Sequence, residues 1–203
     1  MEPFTFIDLF AGCGGLSLGL RAAGGEELLA IEKSEMAAMT YYHNLLERLP
    51  GNQDSSGKDE MRELWRNRLQ KDDGRLKTQG DEEIRLIVAD IWLVLKNEVL
   101  LEHLKNQKPD VVVGGPPCQG FSLAGLRKGN KDARNSLVHA FYQFVMATKP
   151  KFIVLENVEG IRRKFKGSSQ NPIDEIVECF ERGTDSNDQT QYQIQRLALN
   201  AKH

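Results

Sequence analysis

FIDLFAGCGGLSLGL, Phe6 to Leu20, is the stretch whose reading decides the fold. An apolar run ends at Leu9, glycines follow at Gly12, Gly14 and Gly15, and LSLGL comes next. That order predicts a strand over Phe4 to Leu9, a tight turn, and a helix beginning near Gly15. Glycines at such a turn let the backbone come close to a ligand at a helix N-terminus.

Outward from this stretch short apolar runs and amphipathic stretches continue to alternate, without an internal sequence repeat. Leu28 to Ile31 is a second apolar run ending in Glu32, and Met36 to Leu46 reads as helix. Ile84 to Ala89 ends in Asp90, Val111 to Val113 runs into GGPPCQGFS, and Phe152 to Leu155 ends in Glu156 and Asn157. Leu137, Phe141, Phe144, Val145 and Thr148 lie at helical spacing, closed by Lys149 and Pro150. Pro172 to Phe180 reads as a further helix and Tyr192 to Leu199 as a late strand. Short apolar runs alternating with amphipathic stretches predict an α/β fold, a doubly wound parallel sheet covered by helices on both faces. The polar stretch from about residue 50 to residue 83 reads as an insertion between the second and third strands.

Composition narrows the function classes. The 203 residues carry 40% hydrophobic and 28% charged side chains and a net charge of -2, which excludes wholesale disorder and a general polyanion binder. Three scattered cysteines make no disulfide framework, and no CxxC or Cys/His cluster offers a metal site. A reducing, cytoplasmic compartment is expected, with no signal peptide and no membrane span.

In a doubly wound sheet, ligands bind at the carboxyl ends of the strands, and the unusual residues sit at those ends. Phe10, Ala11, Gly12, Gly14 and Gly15 follow strand one; Glu32, twenty positions after Gly12, can bond both hydroxyls of a ribose. Asp90 suits the exocyclic amine of an adenine, although a helix N-cap accounts for it equally well. A glycine loop with an acid at this spacing is shared by NAD, FAD and methionine-nucleotide binders. Cys118, in a proline-fixed loop near a helix start, is placed where a thiolate is favoured. Glu156, read as ending a buried strand, needs a partner or a retained proton, and either suits proton exchange with a substrate. Cys13 and Cys179 read as packing residues.

FIDLFAGCGGLSLGL, VVVGGPPCQGFS, DARNSLVHAF and LENVEG, in that order, resemble four successive blocks of the C5 cytosine-specific DNA methyltransferases. The resemblance implies a Rossmann-like S-adenosylmethionine-dependent fold and methyl transfer to C5 of cytosine in double-stranded DNA. It implies Cys118 as the nucleophile that adds to cytosine C6, and Glu156 as the group that holds and protonates N3. By the same carry-over Phe10, Ala11, Gly12, Gly14, Gly15, Glu32, Asp90, Ile91, Pro116 and Leu137 line the cofactor, while Gln119 and Ser122 meet the target strand. The setting it implies most often is a restriction-modification system.

Residues 121 to 170 hold ten Lys/Arg against three acids, a basic patch that suits phosphates and equally suits a solvated face. An NAD-dependent oxidoreductase would keep the glycine loop and Glu32 but leave PPCQ and ENV unexplained. A tRNA cytosine-5 methyltransferase would share the same blocks. The family continues past a strand like YQIQRLALNAKH into a YG-PQ-R-R block and a target-recognition region, which this sequence does not include. One truncated catalytic domain is therefore expected, either a fragment, one subunit of a split enzyme needing a second polypeptide, or a non-catalytic S-adenosylmethionine-binding remnant.

Overall fold

A computed structural model describes residues 2–46, 85–117, 137–156, 172–182 and 192–199. The chain divides into two compact units, Met1–Asn157 and Val158–His203. The insertion expected at about 50–83 lies outside the described residues, as do Cys118, Gln119 and Ser122.

The first unit is a five-stranded sheet in the order β3-β2-β1-β4-β5, with every described pairing parallel. Its strands are β1 (Phe4–Leu9), β2 (Gly25–Glu32), β3 (Leu86–Val88), β4 (Val111–Gly114) and β5 (Phe152–Leu155). The helices are α1 (Gly15–Ala22), α2 (Glu35–Tyr41) with a π-helical turn Tyr42–Leu46, α3 (Ile91–Leu95), α4 (Glu98–Gln107) and α5 (Leu137–Thr148). This is the expected doubly wound α/β architecture. The strand order reverses direction between β1 and β4, the place where doubly wound sheets bind ligands outside the strand ends.

The apolar runs of β1, β2 and β4 form the core because a parallel sheet is covered on both faces. Phe6, Ile7, Leu9, Leu29, Ile31, Val112 and Val113 are fully buried. From α5, Val138, Phe141, Phe144 and Val145 join them. Below the sheet, Asp110 accepts the backbone N–H of Thr5 at 2.8 Å and the Lys151 ammonium at 2.5 Å. This carboxylate ties the starts of β1, β4 and β5 together.

Three expectations change. β5 is not a buried strand: Phe152 is 66% and Val154 45% exposed, because among the described residues β5 has a partner, β4, on one side only. Helix α4, unmarked in the sequence reading, is capped by Asn97, whose side chain accepts the Leu100 N–H at 3.1 Å. Residues 192–199 form no strand. In the second unit, which contains α6 (Pro172–Arg182), they follow that helix instead, with Tyr192 edge-on to Phe180 and Arg196 paired with Asp174 at 2.7 Å. A strand needs a ladder partner, and none is found for this segment among the described residues.

Candidate active site

The ends of β3, β2, β1, β4 and β5 lie side by side, and backbone hydrogen bonds continue one or two residues past β3, β1 and β5. Ala89 N–H donates to Glu32 O at 3.0 Å, Ala11 N–H to Ile31 O at 3.1 Å, and Glu156 N–H to Gly114 O at 2.9 Å. The expected residues Asp90, Glu32, Phe10 to Gly15, Pro116 and Glu156 are therefore brought to one edge of the sheet, in that order across it.

At its centre the loop after β1 is wound tightly, with positive φ at Phe10 (59°), Gly12 (56°) and Gly14 (91°). Gly14 is the N-cap of α1 and accepts the Leu18 N–H on its carbonyl at 2.9 Å. A Cβ there would stand 2.4 Å from Leu45 Cδ1 and 2.9 Å from Tyr41 Cδ2, so only glycine fits. Ala11 is buried, Gly15 starts α1, and Cys13 is exposed in the loop, not packed as expected.

Glu32 holds this loop. Its Oε2 accepts the Gly12 N–H at 2.8 Å and its Oε1 the Ser34 N–H at 2.6 Å. Each carboxylate oxygen keeps a further lone pair, so two acceptor sites remain for the hydroxyls of a ribose. Asp90 caps α3 by accepting the Trp92 N–H at 3.0 Å on Oδ1, and Lys33 reaches its Oδ2 at 2.7 Å. Partial burial pushes the Asp90 carboxyl up, but the hydrogen bonds from Lys33 and Trp92 and the Lys33 charge outweigh it, leaving the group below its ordinary range. Ile91, the first residue of α3, is buried beside it.

Across the switch point, Pro116 is buried and Leu137 is half-buried at the start of α5. Glu156 is exposed and folds back over the β4 end: a Cβ on Gly115 would lie 2.8 Å from its Oε2. The second glycine of VVVGGPP thus makes room for the acid of LENVEG, which is how two distant motifs meet at one site, while Gly114 packs against Leu9 and Phe141.

Beneath the loop lies a buried polar chain that the sequence reading missed. Asp8 Oδ2 is 2.7 Å from Ser17 Oγ, which is 2.7 Å from the Tyr41 hydroxyl, which is 2.5 Å from Glu27 Oε2. Arg21 donates to Glu27 Oε2 at 2.9 Å and to the Leu45 carbonyl at 2.7 Å. All four members of the chain are buried. Burial pushes the Asp8 carboxyl up to about 7, against the Ser17 hydrogen bond and with help from the charges of Glu27 and Glu32. The signal available in the sequence was an acid inside an apolar strand, Asp8 in FTFIDL, whereas Glu27 stands beside Glu26 at the start of GEELLAIE.

Among the described residues no cluster of three His, Cys, Asp or Glu side chains is placed to hold a metal, and no helix is long and apolar enough to cross a membrane.

A glycine loop at a helix start, an acid on the Gly12 N–H and a strand order that reverses beside them define a Rossmann-like domain of the nucleotide-cofactor-binding class. The C-5 cytosine-specific DNA methylase family matches residues 4–67 and 82–203, and the chain belongs to that family. It is 38% identical over 180 residues to the type II methyltransferase M1.HphI of Haemophilus parahaemolyticus, covering 88% of this chain and 38% of that protein. The type II methyltransferase M.DdeI of Desulfomicrobium norvegicum is 37% identical over 176 residues, 87% of this chain and 33% of that protein. A crystal structure of an E. coli prophage protein assigned as a DNA modification methyltransferase superposes with a TM-score of 0.53 at 27% identity, over 86% of this chain and 37% of that one. The chain thus spans little more than a third of the length of these relatives.

Proposed function

We propose that this chain is the cofactor-binding and nucleophile-bearing portion of a DNA cytosine-5 methyltransferase of a restriction-modification system. The observation that carries the reading is the alignment along one sheet edge of Glu32, the glycine loop, the Gly115-Pro116 turn leading to Cys118, and Glu156.

The residues fit S-adenosylmethionine. Glu32 has acceptor sites free for the ribose, the loop from Phe10 to Gly15 offers backbone at close range, and Asp90 with Ile91 flanks the place an adenine would take. Pro116 and Leu137 form walls on the far side. S-adenosylmethionine supplies an electrophilic methyl group when bound.

The remaining chemistry belongs to this chain and the base. The target cytosine is flipped out of the duplex, the Cys118 thiolate adds to C6, and Glu156 holds and protonates N3, so that C5 becomes electron-rich. After C5 is methylated, loss of its proton and elimination of the thiolate release 5-methylcytosine. Gln119 and Ser122, next to the nucleophile in sequence, are assigned to the target strand, and the basic residues between 121 and 170 to its phosphates. Base recognition is assigned to a second segment or polypeptide, in keeping with the share of its relatives that the chain spans. A reducing, cytoplasmic setting is in keeping with three scattered cysteines that make no disulfide framework.

Calorimetry with S-adenosylmethionine on the 203-residue chain tests the division of labour. Cys118→Ser leaves cofactor affinity nearly unchanged, whereas Glu32→Ala weakens it. Equal losses in both variants would contradict the assignments.

A further inference from the structure

The buried chain Asp8–Ser17–Tyr41–Glu27 poses a counting problem. It contains three oxygen–oxygen contacts at hydrogen-bond distance: 2.7 Å, 2.7 Å and 2.5 Å. Each needs one proton between the oxygens. Ser17 contributes one and Tyr41 another, because burial and the neighbouring Glu27 raise the phenol far above its ordinary range and keep it protonated. Two hydroxyl protons cannot serve three contacts. One of the two carboxyl groups must carry the third.

The surroundings decide which. Glu27 Oε2 faces the Arg21 guanidinium at 2.9 Å, which favours its ionised form. The groups facing Asp8 are Ser17 and Arg21 on α1, Glu27 and Glu32 on β2 and Tyr41 on α2, while its β4 neighbour is the apolar Val113. Arg21 is engaged by Glu27 and the Leu45 carbonyl, so among the described residues Asp8 has no cation of its own. Asp8 Oδ1 and Glu27 Oε1 are both buried without a hydrogen-bond partner among the described residues, so a missing partner does not separate the two acids, whereas the guanidinium on Glu27 does.

We propose that the third proton resides on Asp8, and that this neutral Asp8 is a positioning residue for the cofactor loop. The proton directions then run one way: Asp8 O–H donates to Ser17, Ser17 O–H to Tyr41, and Tyr41 O–H to the ionised Glu27. Removing the Asp8 proton reverses the first two bonds and leaves Tyr41 and Glu27 facing each other at 2.5 Å with no proton between them.

The fold shows why that matters at the site. Ser17 lies on α1, whose N-terminus is the glycine loop, and the Tyr41 ring is the wall against which Gly14 packs. Asp8 itself stands two residues before Phe10. Glu27 reaches this face through a bulge: β1 pairs Phe6 with Glu27 but Ile7 with Leu29, so one extra residue of β2 turns Glu27 onto the side of Asp8. Loss of the Tyr41–Glu27 bond therefore loosens α2 from β2 and removes the support behind Gly14. The positioning role rests on the cofactor reading above, whereas the proton assignment stands on the contacts alone.

The test pairs two measurements on the 203-residue chain and on Asp8→Asn, whose amide donates permanently to Ser17 as the neutral acid does. The first is the infrared C=O stretch of a neutral carboxylic acid at pH 6, expected in the parent and missing from Asp8→Asn. The second is S-adenosylmethionine affinity by calorimetry from pH 6 to pH 9. The parent is expected to lose about tenfold between pH 6 and pH 8, as one obligatory proton held with a pKa of about 7 requires, and Asp8→Asn to stay flat. Tyr41→Phe removes two contacts and one proton, leaving the Ser17 proton to serve the one contact that remains, so its acid band is expected to vanish at lower pH than in the parent. Absence of the acid band, or the same pH profile in parent and Asp8→Asn, overturns the proposal. Intact band but no cofactor binding at any pH sinks the cofactor reading and the positioning role with it, while the proton assignment survives.

Discussion

Glu32 Oε2 accepts the backbone N–H of Gly12 at 2.8 Å, joining the end of β2 to the loop after β1 across twenty residues of sequence. The same carboxylate takes the Ser34 N–H, so one side chain fixes the loop and the start of α2 together. Charged acceptors on backbone donors are worth about 1.5–3 kcal/mol each. Glu32→Ala is expected to weaken S-adenosylmethionine binding by about 10- to 100-fold, and Glu32→Gln by less, because an amide oxygen can still accept one N–H. Calorimetry on the three proteins checks the order.

Gly14 has no room for a side chain and sits at φ 91°. Gly14→Ala combines backbone strain with a Cβ driven into Leu45 and Tyr41, and a loss of about 2–4 kcal/mol of stability is expected. Urea denaturation followed by circular dichroism measures it. Gly15→Ala, where a Cβ meets nothing within 4 Å, should stay within about 1 kcal/mol of the parent.

Stability should also record the Asp8 proton. The carboxyl is raised from 3.8 to about 7 on folding, so between those pH values the folded chain holds a proton that the unfolded chain has released. The Asp8 contribution is therefore full below about pH 4 and is lost as pH rises to about 7. Asp90 and Asp110, both held below their ordinary range, act in the opposite sense and lose their contribution in acid. Comparing the parent with Asp8→Asn isolates the first effect: denaturant midpoints should converge at low pH and diverge toward neutrality. A constant difference across the range would contradict the assignment.

Asp110 anchors the other end of the sheet. The hydrogen bond from Lys151, then those from Thr5, keep its carboxyl low. Asp110→Ala leaves the Thr5 N–H without its acceptor, and a loss of about 1–3 kcal/mol is expected. Cofactor affinity measured in native buffer should change little, since the site lies at the opposite strand ends.

The sheet was legible because each strand is a short apolar run closed by a glycine, proline or acid, and β1, α1, α5 and β5 fall where those signals stand. The adjacency of Glu32, the glycine loop and Glu156 followed from strand ends sharing one edge. Helix α4 escaped because its buried stripe is thin: Leu104 is its single fully buried residue, and Val99 is 77% exposed. The segment Tyr192 to Leu199 has a strand-like pattern, but pattern alone provides no ladder partner. The Asp8–Glu27 chain was hidden for a different reason. Its members lie on four elements, and Glu27 reaches Asp8 through a β2 bulge, a register detail that alternation does not foresee.

The most direct test of the central claim is trapping on a duplex bearing 5-fluorocytosine with labelled S-adenosylmethionine. The 203-residue chain is used alone and mixed with a separately made polypeptide carrying the target-recognition portion of a relative. The account predicts a labelled covalent adduct that forms in the mixture and is lost in Cys118→Ser. No adduct under either condition, with the cofactor still bound, would contradict the methyltransferase assignment and leave a domain that binds S-adenosylmethionine without using it.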